Sequence, residues 1–590
     1  MKDASTVEMQ PTLGLTGLTS NAMALIAPGA FLWLTFYIQA TTGTTAPAMW
    51  FGILIALLLC LATALSYGEL AKLYPGPGSS YFFAEQAFLN RDEAAKYARP
   101  AKFMIGWASH LYYWIYPGVM VATMGILCGY LVGTLWPNVM SASNPGIPFM
   151  MLIAIVFAGV VGYIASRGVN GSTAVSVAIN VIQISALLVF TFMAIHYRMA
   201  HPPGSQAWQF DAASGDAYTY QFATDAKGNV LRFANGTPRP LLNAAGQAVP
   251  YVVSYPKSDA SGNFLTHPNA RSVVAPHQLS WAFIQATVAI LILVGFESCT
   301  ALGGEAKNPK KDLPKAIILS LIIQGAIFYL IEYFAANYML SSGYTMANAT
   351  GSAAPIGDLM VTVGDAIFGA GHGRAFMLIE AVTVFLALIG TTLSCINTGA
   401  RVTYAMGKDK EVPEHFGLLH SEKLTPHRAI WTLTAISAIV GCLALAAVFG
   451  DGGAPTNAAI AALPHGFWSS FGYTTHAGMA KWPNTLLMMT LASNFGTFLL
   501  YGMSNLVCIV AFWKKPGFKL VKHGLVPSFG IAANLACMLF YLIGPFMGYG
   551  TAKEPLLALG VAAAWGIYGA IYFARNKKAV PVIKPNAVTA

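Results

Sequence analysis

Charge is what this chain has least of. Only 9% of its 590 residues are Asp, Glu, Lys or Arg, against roughly 25% in an average soluble domain. With 56% hydrophobic residues, a soluble core cannot absorb the apolar surface, which leaves a polytopic membrane protein. Cysteine pairs are also missing. The seven cysteines (Cys60, Cys128, Cys299, Cys395, Cys442, Cys508 and Cys537) fall in apolar stretches and include no Cys-x-x-Cys, so they read as buried single thiols and not as a disulfide or zinc framework. The twelve histidines show no metal-ligand spacing, and His465 and His476, eleven apart, are too loose a pair for a site. No phosphate loop, zinc motif or nucleophile beside a positioned base is present, which disfavours an ATP-driven machine and the common enzyme chemistries. No basic stripe with interleaved aromatics occurs either, so the net charge of +10 requires no nucleic-acid partner.

Long apolar runs are what the chain does have. Stretches of spanning length, about 20 residues each, can be laid out as twelve helices near 14–38, 48–73, 102–136, 147–166, 170–198, 279–303, 315–341, 374–404, 429–449, 484–513, 526–547 and 556–575. With the N-terminus placed inside, 24 of the 33 Lys and Arg residues fall in the inner segments; the short outer loops hold three, and 198–278 holds six. That asymmetry predicts a cytoplasmic (inner) membrane protein with both termini cytoplasmic, its basic loops facing anionic lipid. The polar tail 1–10 runs into a full-length span without a small-residue cleavage pattern, so the first helix is expected to stay.

Segment 200–278 differs from its surroundings. It is rich in Gly, Asn, Asp and Pro and carries a weak repeat: Asp225-Ala226-Lys227-Gly228-Asn229, Asn243-Ala244-Ala245-Gly246-Gln247 and Asp259-Ala260-Ser261-Gly262-Asn263. Asx residues followed closely by Gly are turn chemistry, which predicts a small outer β-hairpin-like cap, with a disordered linker as the rival at even weight. A second symmetry concerns the spans. Span 1 is interrupted at Ala27-Pro28-Gly29-Ala30, and span 6, the first after a set of five, at Gly295-Phe296-Glu297. Proline removes a helix donor and glycine weakens the helix, so both are unwinding points. Either alone would read as a kink. Matching breaks point to an inverted-repeat transporter with its site at the midplane.

Four stretches carry a family resemblance. They are the Gly295-Phe296-Glu297 break; the exit Glu305-Ala306-Lys307-Asn308-Pro309 with Leu313-Pro314-Lys315-Ala316-Ile317; Tyr67-Gly68-Glu69-Leu70 through Tyr74-Pro75-Gly76-Pro77-Gly78-Ser79-Ser80-Tyr81; and Arg401-Val402-Thr403-Tyr404-Ala405-Met406 leading to Lys408-Asp409-Lys410-Glu411-Val412-Pro413. Together they resemble the amino acid-polyamine-organocation (APC) superfamily of permeases, over the helical part and not over 200–278. The resemblance implies an all-α integral membrane protein of twelve transmembrane helices, leucine-transporter-like, with a 5+5 inverted repeat plus two helices. The chain then divides into a cytoplasmic tail (1–13), a first repeat (14–199), the outer insertion (200–278), a second repeat (279–513), spans 11 and 12 (514–579) and a second cytoplasmic tail (580–590). The short stretch Pro355-Ile356-Gly357-Asp358-Leu359 resembles the outer-loop helix of these permeases.

The implied function is secondary transport of amino acids or related amines by alternating access, without a cofactor beyond a coupling proton or sodium ion. In span 1 the carbonyls of Leu25, Ile26 and Ala27 end one half-helix and favour an ammonium; the free N–H groups of Gly29 and Ala30 open the next and favour a carboxylate. Span 6 offers the carbonyls near Val294 and Gly295, with Phe296 as a candidate aromatic lid and Ser298 beside it. Glu297 has two readings: a partner for a cationic substrate or a coupling proton, or a structural group locking the unwound segment. Where these permeases usually show Gly-Ser-Gly, this chain has Ala27-Pro28-Gly29, so one backbone donor to a substrate carboxylate is absent. That keeps a polyamine or organic amine permease as the rival, with a transporter-like membrane sensor and a membrane enzyme behind it. Tyr113 and Trp114 of span 3 are candidate pocket walls. Span 5 carries no cation in 179–188, so a fixed lysine cannot stand in for sodium there; Thr391, Thr392 and Ser394 of span 8 could hold the ion. Glu332 and Glu380 receive no assigned role. The sequence leaves substrate identity, driving ion and oligomeric state open.

Overall fold

The computed structural model describes residues 11–26, 35–36, 38–40, 43–76, 78–91, 94–140, 146–200, 209–211, 213, 217–218, 220–249, 251, 270–339, 349, 354–447, 484–543 and 553–576. Among them, eleven helices are long and apolar enough to cross a membrane. The helix of the expected first span, α1 (Leu15–Ile26), has 12 residues, so it extends about 18 Å against a hydrocarbon core of about 30 Å. The break at 27–30 lies outside the described residues, as do His465 and His476 and the third turn repeat at 259–263.

Further helices mostly follow the apolar runs, with two shorter ones, Ser80–Leu89 and Pro355–Phe368, between them. They are α2 (Met49–Leu73), the short α3 (Ser80–Leu89), α4 (Ala98–Leu135), α5 (Ile147–Ser166), α6 (Val169–Ala200), α7 (Leu279–Leu293), α8 (Pro309–Leu321), α9 (Leu330–Met339), α10 (Pro355–Phe368), α11 (Gly373–Lys408), α12 (His427–Leu445), α13 (Thr485–Phe512), α14 (Val526–Ile543) and α15 (Lys553–Arg575). A wider π-type stretch, Ile322–Tyr329, joins α8 to α9, so the expected seventh span is one continuous rod with an altered winding at its centre.

Two groups of helices emerge from the packing. In the first, α1, α2, α7 and α8 lie against one another; in the second, α4 runs along α5, α11 and α12. Helix α13 packs along α4 and also touches α2, while α1 meets α6 and α11 across the boundary. Lipid tails are as apolar as leucine, so close backbone approach at small residues holds such helices together more than water expulsion does. Gly52 of α2 fits that rule: a Cβ there would lie 2.4 Å from the Gln285 Cβ on α7. Gly162 of α5 faces Thr434 of α12 equally tightly, and Gly496 of α13 sits on the main chain of Tyr112 in α4.

In the insertion, two-residue strands at Gln209–Phe210 and Ala217–Tyr218 pair antiparallel. Beyond them, main-chain bridges join Thr224 to Val230, Arg232 to Pro238 and Leu242 to Ala248. Each bridge closes a turn whose Gly sits at positive φ, at Gly228, Gly236 and Gly246. Asp225 and Asn243 each accept two main-chain N–H groups of their own turn. A turn at 233–237, built on Asn235, belongs to the same series and was not visible as a repeat in the sequence, because Phe233 occupies the position held elsewhere by Asp or Asn.

Candidate functional site

Helix α7 stops where the sequence predicts a break. Val294 is extended and Gly295 has φ of +114°, a region that costs an L-residue strain and glycine little. The chain resumes as a tight 3-10 stretch, Phe296–Glu305. Gly295 is needed for a second reason: a Cβ there would lie 2.7 Å from the Leu25 side chain of α1. The end of α1 and the break of span 6 therefore touch.

Glu297 is the centre of this region and is fully buried. Its Oε1 accepts the Tyr113 hydroxyl at 2.7 Å. Its Oε2 accepts the Tyr501 hydroxyl at 2.6 Å and the Gly295 N–H at 3.1 Å. Thr300 then donates to the Glu297 carbonyl at 2.6 Å. A carboxylate needs such donors when removed from water. Here α4, α13 and the unwound backbone supply them, so the carboxylate joins three elements at the break.

Phe296 is buried against the same groups. Its ring meets Tyr67 edge-on, with centroids 6.2 Å apart, and lies 5.2 Å from Tyr501. The Tyr67 hydroxyl pairs with Ser80 at 2.5 Å and accepts from Ser504 at 3.0 Å. Tyr113 is fixed from behind, because Gly399 of α11 leaves no space for a side chain beside the Tyr113 Cβ.

Helix α1 contributes main-chain oxygens, and side chains of neighbouring spans approach them one by one. Asn180 of α6 donates to the Ser20 carbonyl at 2.9 Å, Ser394 of α11 to Asn21 at 2.7 Å, and Thr391 to Ala24 at 3.0 Å. From the π-type stretch, Gln324 reaches the Met23 carbonyl at 3.3 Å and Tyr329 that of Ile26 at 2.5 Å. Such widened turns re-aim side chains and recur at functional sites. Asn21 in turn contacts the Ser298 hydroxyl at 3.4 Å.

The structure thus brings together Leu25, Ile26, Val294, Gly295, Phe296, Glu297, Ser298 and Tyr113, and sets Thr391 and Ser394 on α1. The buried Thr392 hydroxyl has no hydrogen-bond partner among the described residues. Ala27, Gly29 and Ala30 lie outside the described residues. Trp114 belongs elsewhere: it stacks on His110 at 4.4 Å and lies 5.7 Å from Trp565 of α15. Sequence reasoning missed Tyr501, Tyr67, Asn180, Gln324 and Tyr329. The available signal was a polar residue inside an apolar helix, which also marks many packing contacts. Among the described residues, no group of three or more His, Cys, Asp or Glu could hold a metal ion. All seven cysteines are free thiols.

A family model described as "Amino acid permease" matches residues 12–567. The chain belongs to this family of the APC superfamily. The permease is 21% identical over 410 residues to the branched-chain amino acid permease BcaP of Lactococcus lactis subsp. cremoris, covering 68% of this chain and 70% of that one. It is 21% identical over 513 residues to the low-affinity putrescine importer PlaP of Escherichia coli, covering 87% and 83%. A methylthioribose transporter of Bacillus subtilis is 22% identical over 419 residues, covering 68% and 69%. The permease is therefore a multi-pass membrane transporter for a small molecule and not an enzyme.

Proposed function

We propose that this permease is a secondary active transporter of amino acids, working across the cytoplasmic membrane by alternating access, with both termini inside. The carrying observation is the break at Gly295, where the backbone unwinds against α1 and Glu297 is held by Tyr113, Tyr501 and Gly295 itself. Unwound backbone at membrane depth is tolerated where it lines a cavity or is buried in protein. Peptide groups near the ends of α1 and α7 would take the ammonium and carboxylate of the substrate, at Leu25, Ile26, Ala27, Gly29, Ala30, Val294 and Gly295, with Phe296, Ser298 and Tyr113 beside them. The two helix groups supply bodies that can rock about this point, in the inverted-repeat manner of the leucine-transporter-like fold.

The state of Glu297 bears on the substrate. Three donors already satisfy its two oxygens, so the arrangement favours a clamp on the unwound segment over an unpaired anion awaiting a cation. That supports an amino acid ahead of a polyamine. The amine reading keeps one observation in its favour, the missing N–H at Pro28. For coupling, sodium is the reading with support: hydroxyls of Thr391 and Ser394 lie beside the carbonyls of Ala24 and Asn21, an all-oxygen environment suited to a hard cation.

Uptake into proteoliposomes tests both points in one assay. Labelled branched-chain and small neutral amino acids are expected to accumulate, to resist competition by putrescine, and to lose accumulation in sodium-free buffer at fixed pH. Competition by putrescine with no amino-acid uptake would replace the main reading with the amine permease; accumulation unchanged without sodium would remove the sodium site.

A further inference from the structure

The lysines of the span 6 exit take no part in the site above, and their placement is specific. Lys310, Lys311 and Lys315 stand on the first two turns of α8, and Lys72 on the last turn of α2. With Pro314, Ile318 and Leu319 they line an open cleft of about 730 Å³ between the two helices. Lys72 is paired with Glu69 at 2.8 Å, and Glu69 also meets His523 at 3.5 Å. Among the described residues, no ion pair engages Lys310, Lys311 or Lys315, and the acidic neighbour Asp312 is buried away from solvent. The cleft therefore presents three uncompensated cations around an apolar floor.

One turn further along α8 the surface changes character. Leu319 and Ile322 are exposed large apolar residues, as are Leu65 and Leu73 on α2. In a membrane protein such exposed leucines face acyl chains, so the step from Lys315 to Leu319 marks the headgroup level. The segment also lies at the basic end of the bundle, the end that the positive-inside asymmetry turns to the cytoplasm. A soluble anion would use the lysines and leave the apolar floor idle. A lipid with an anionic headgroup uses both.

We propose that this cleft binds the phosphate headgroup of an anionic glycerophospholipid, with Lys310, Lys311 and Lys315 around the phosphate and an acyl chain along Ile318 and Leu319. Basic pockets between transmembrane helices on the cytoplasmic side recognise lipid headgroups in this way. The location gives the lipid a consequence. Helix α8 begins directly after the unwound stretch, and that stretch is tied to the start of α1 through main-chain bonds from Thr12 and Leu13 to Glu305. A bound lipid braces α2 against α8 beside that junction.

The test uses the full chain in nanodiscs of phosphatidylcholine doped with pyrene-labelled phosphatidylglycerol or pyrene-labelled phosphatidylcholine, read by energy transfer from protein tryptophan. Wild type is expected to enrich the anionic probe over the neutral one, and the triple variant K310Q/K311Q/K315Q to lose that preference by about tenfold or more. The variant K519Q/K522Q, outside the cleft, is expected to keep it. Should the triple variant fail to fold, K311Q alone and wild type in high salt give the same reading, each with a reduced preference. Equal enrichment of both probes by wild type overturns the proposal. So does an unchanged preference in the cleft variants. Displacement of the probe by millimolar inorganic phosphate would assign the cleft to a free anion and overturn the lipid reading.

Discussion

At the scale of single residues, Gly295 carries two demands that one substitution violates together. Its φ of +114° disfavours any side chain, and a Cβ would enter the Leu25 side chain at 2.7 Å. Left-handed backbone costs an L-residue about 1–2 kcal/mol, and overpacking typically costs about 1–3 kcal/mol more. Gly295→Ala is therefore expected to lower both melting temperature and uptake. Adding Leu25→Ala removes the Cγ and Cδ2 overlaps at 2.7 and 2.8 Å but leaves the Leu25 Cβ at 2.9 Å and the backbone strain, so the double variant should recover only part of the lost stability. Recovery to the full wild-type level would mean the backbone angle is unimportant; no recovery would mean Leu25 does not press on this glycine. The measurements are thermal unfolding in detergent and initial uptake rates in proteoliposomes.

At the scale of elements, the end of the unwound stretch is pinned by a buried ion pair. Arg401 of α11 reaches Glu305 through Nε at 3.0 Å and Nη2 at 2.9 Å, and also donates to the Asn397 carbonyl at 2.8 Å. Both side chains are nearly inaccessible, at 1% and 5% exposure. Removing one member of such a pair leaves a buried charge uncompensated and costs about 3–5 kcal/mol, whereas replacing both by apolar groups of similar volume is often neutral. Arg401→Met alone is expected to be strongly destabilising, and the double variant R401M/E305M to melt closer to wild type. A double variant less stable than either single one would contradict this account. The Glu305 and Arg401 segments stood out in the sequence as motifs, yet their pairing did not. A residue pattern reports local winding, and these two are brought together by the packing of α11 on the span 6 exit. The same reasoning explains why the break at Gly295 was legible and its clamp was not. Glycine beside a carboxylate in an apolar run is local information; the hydroxyls of Tyr113 and Tyr501 arrive from helices 184 and 204 residues away. The altered winding at Ile322–Tyr329 had no signature at all, since its residues are ordinary helix formers apart from Gly325. Trp114 shows the converse error: an aromatic run on α4 was read as one wall, but neighbouring positions on a helix point about 100° apart, and the run divides between the Glu297 region and the face against α15.

At the scale of the whole molecule, the question is whether the two helix groups move against each other. Among the contacts that cross between them near the site are Thr391 and Ser394 on the carbonyls of α1, Tyr113 on Glu297, Arg401 on Glu305, and Gly390 of α11 beside Ala24 of α1. The last contact offers a direct lock. A Cβ built at Gly390 lies 3.7 Å from the Cβ of Ala24, within the about 3.5–4.5 Å that a disulfide spans. Oxidised Ala24→Cys/Gly390→Cys, in a background freed of the native thiols, would tie α1 to α11 and oppose any change in their relation. Gly502 of α13 and Asn534 of α14 offer a control with the same 3.7 Å separation, on helices outside the two groups. Rocking of the groups requires the first cross-link to abolish uptake, with reductant restoring it, and the second to leave uptake largely intact. If both oxidised proteins transport at the rate of their reduced forms, α1 keeps its place on α11 throughout the cycle, and the moving boundary must lie elsewhere.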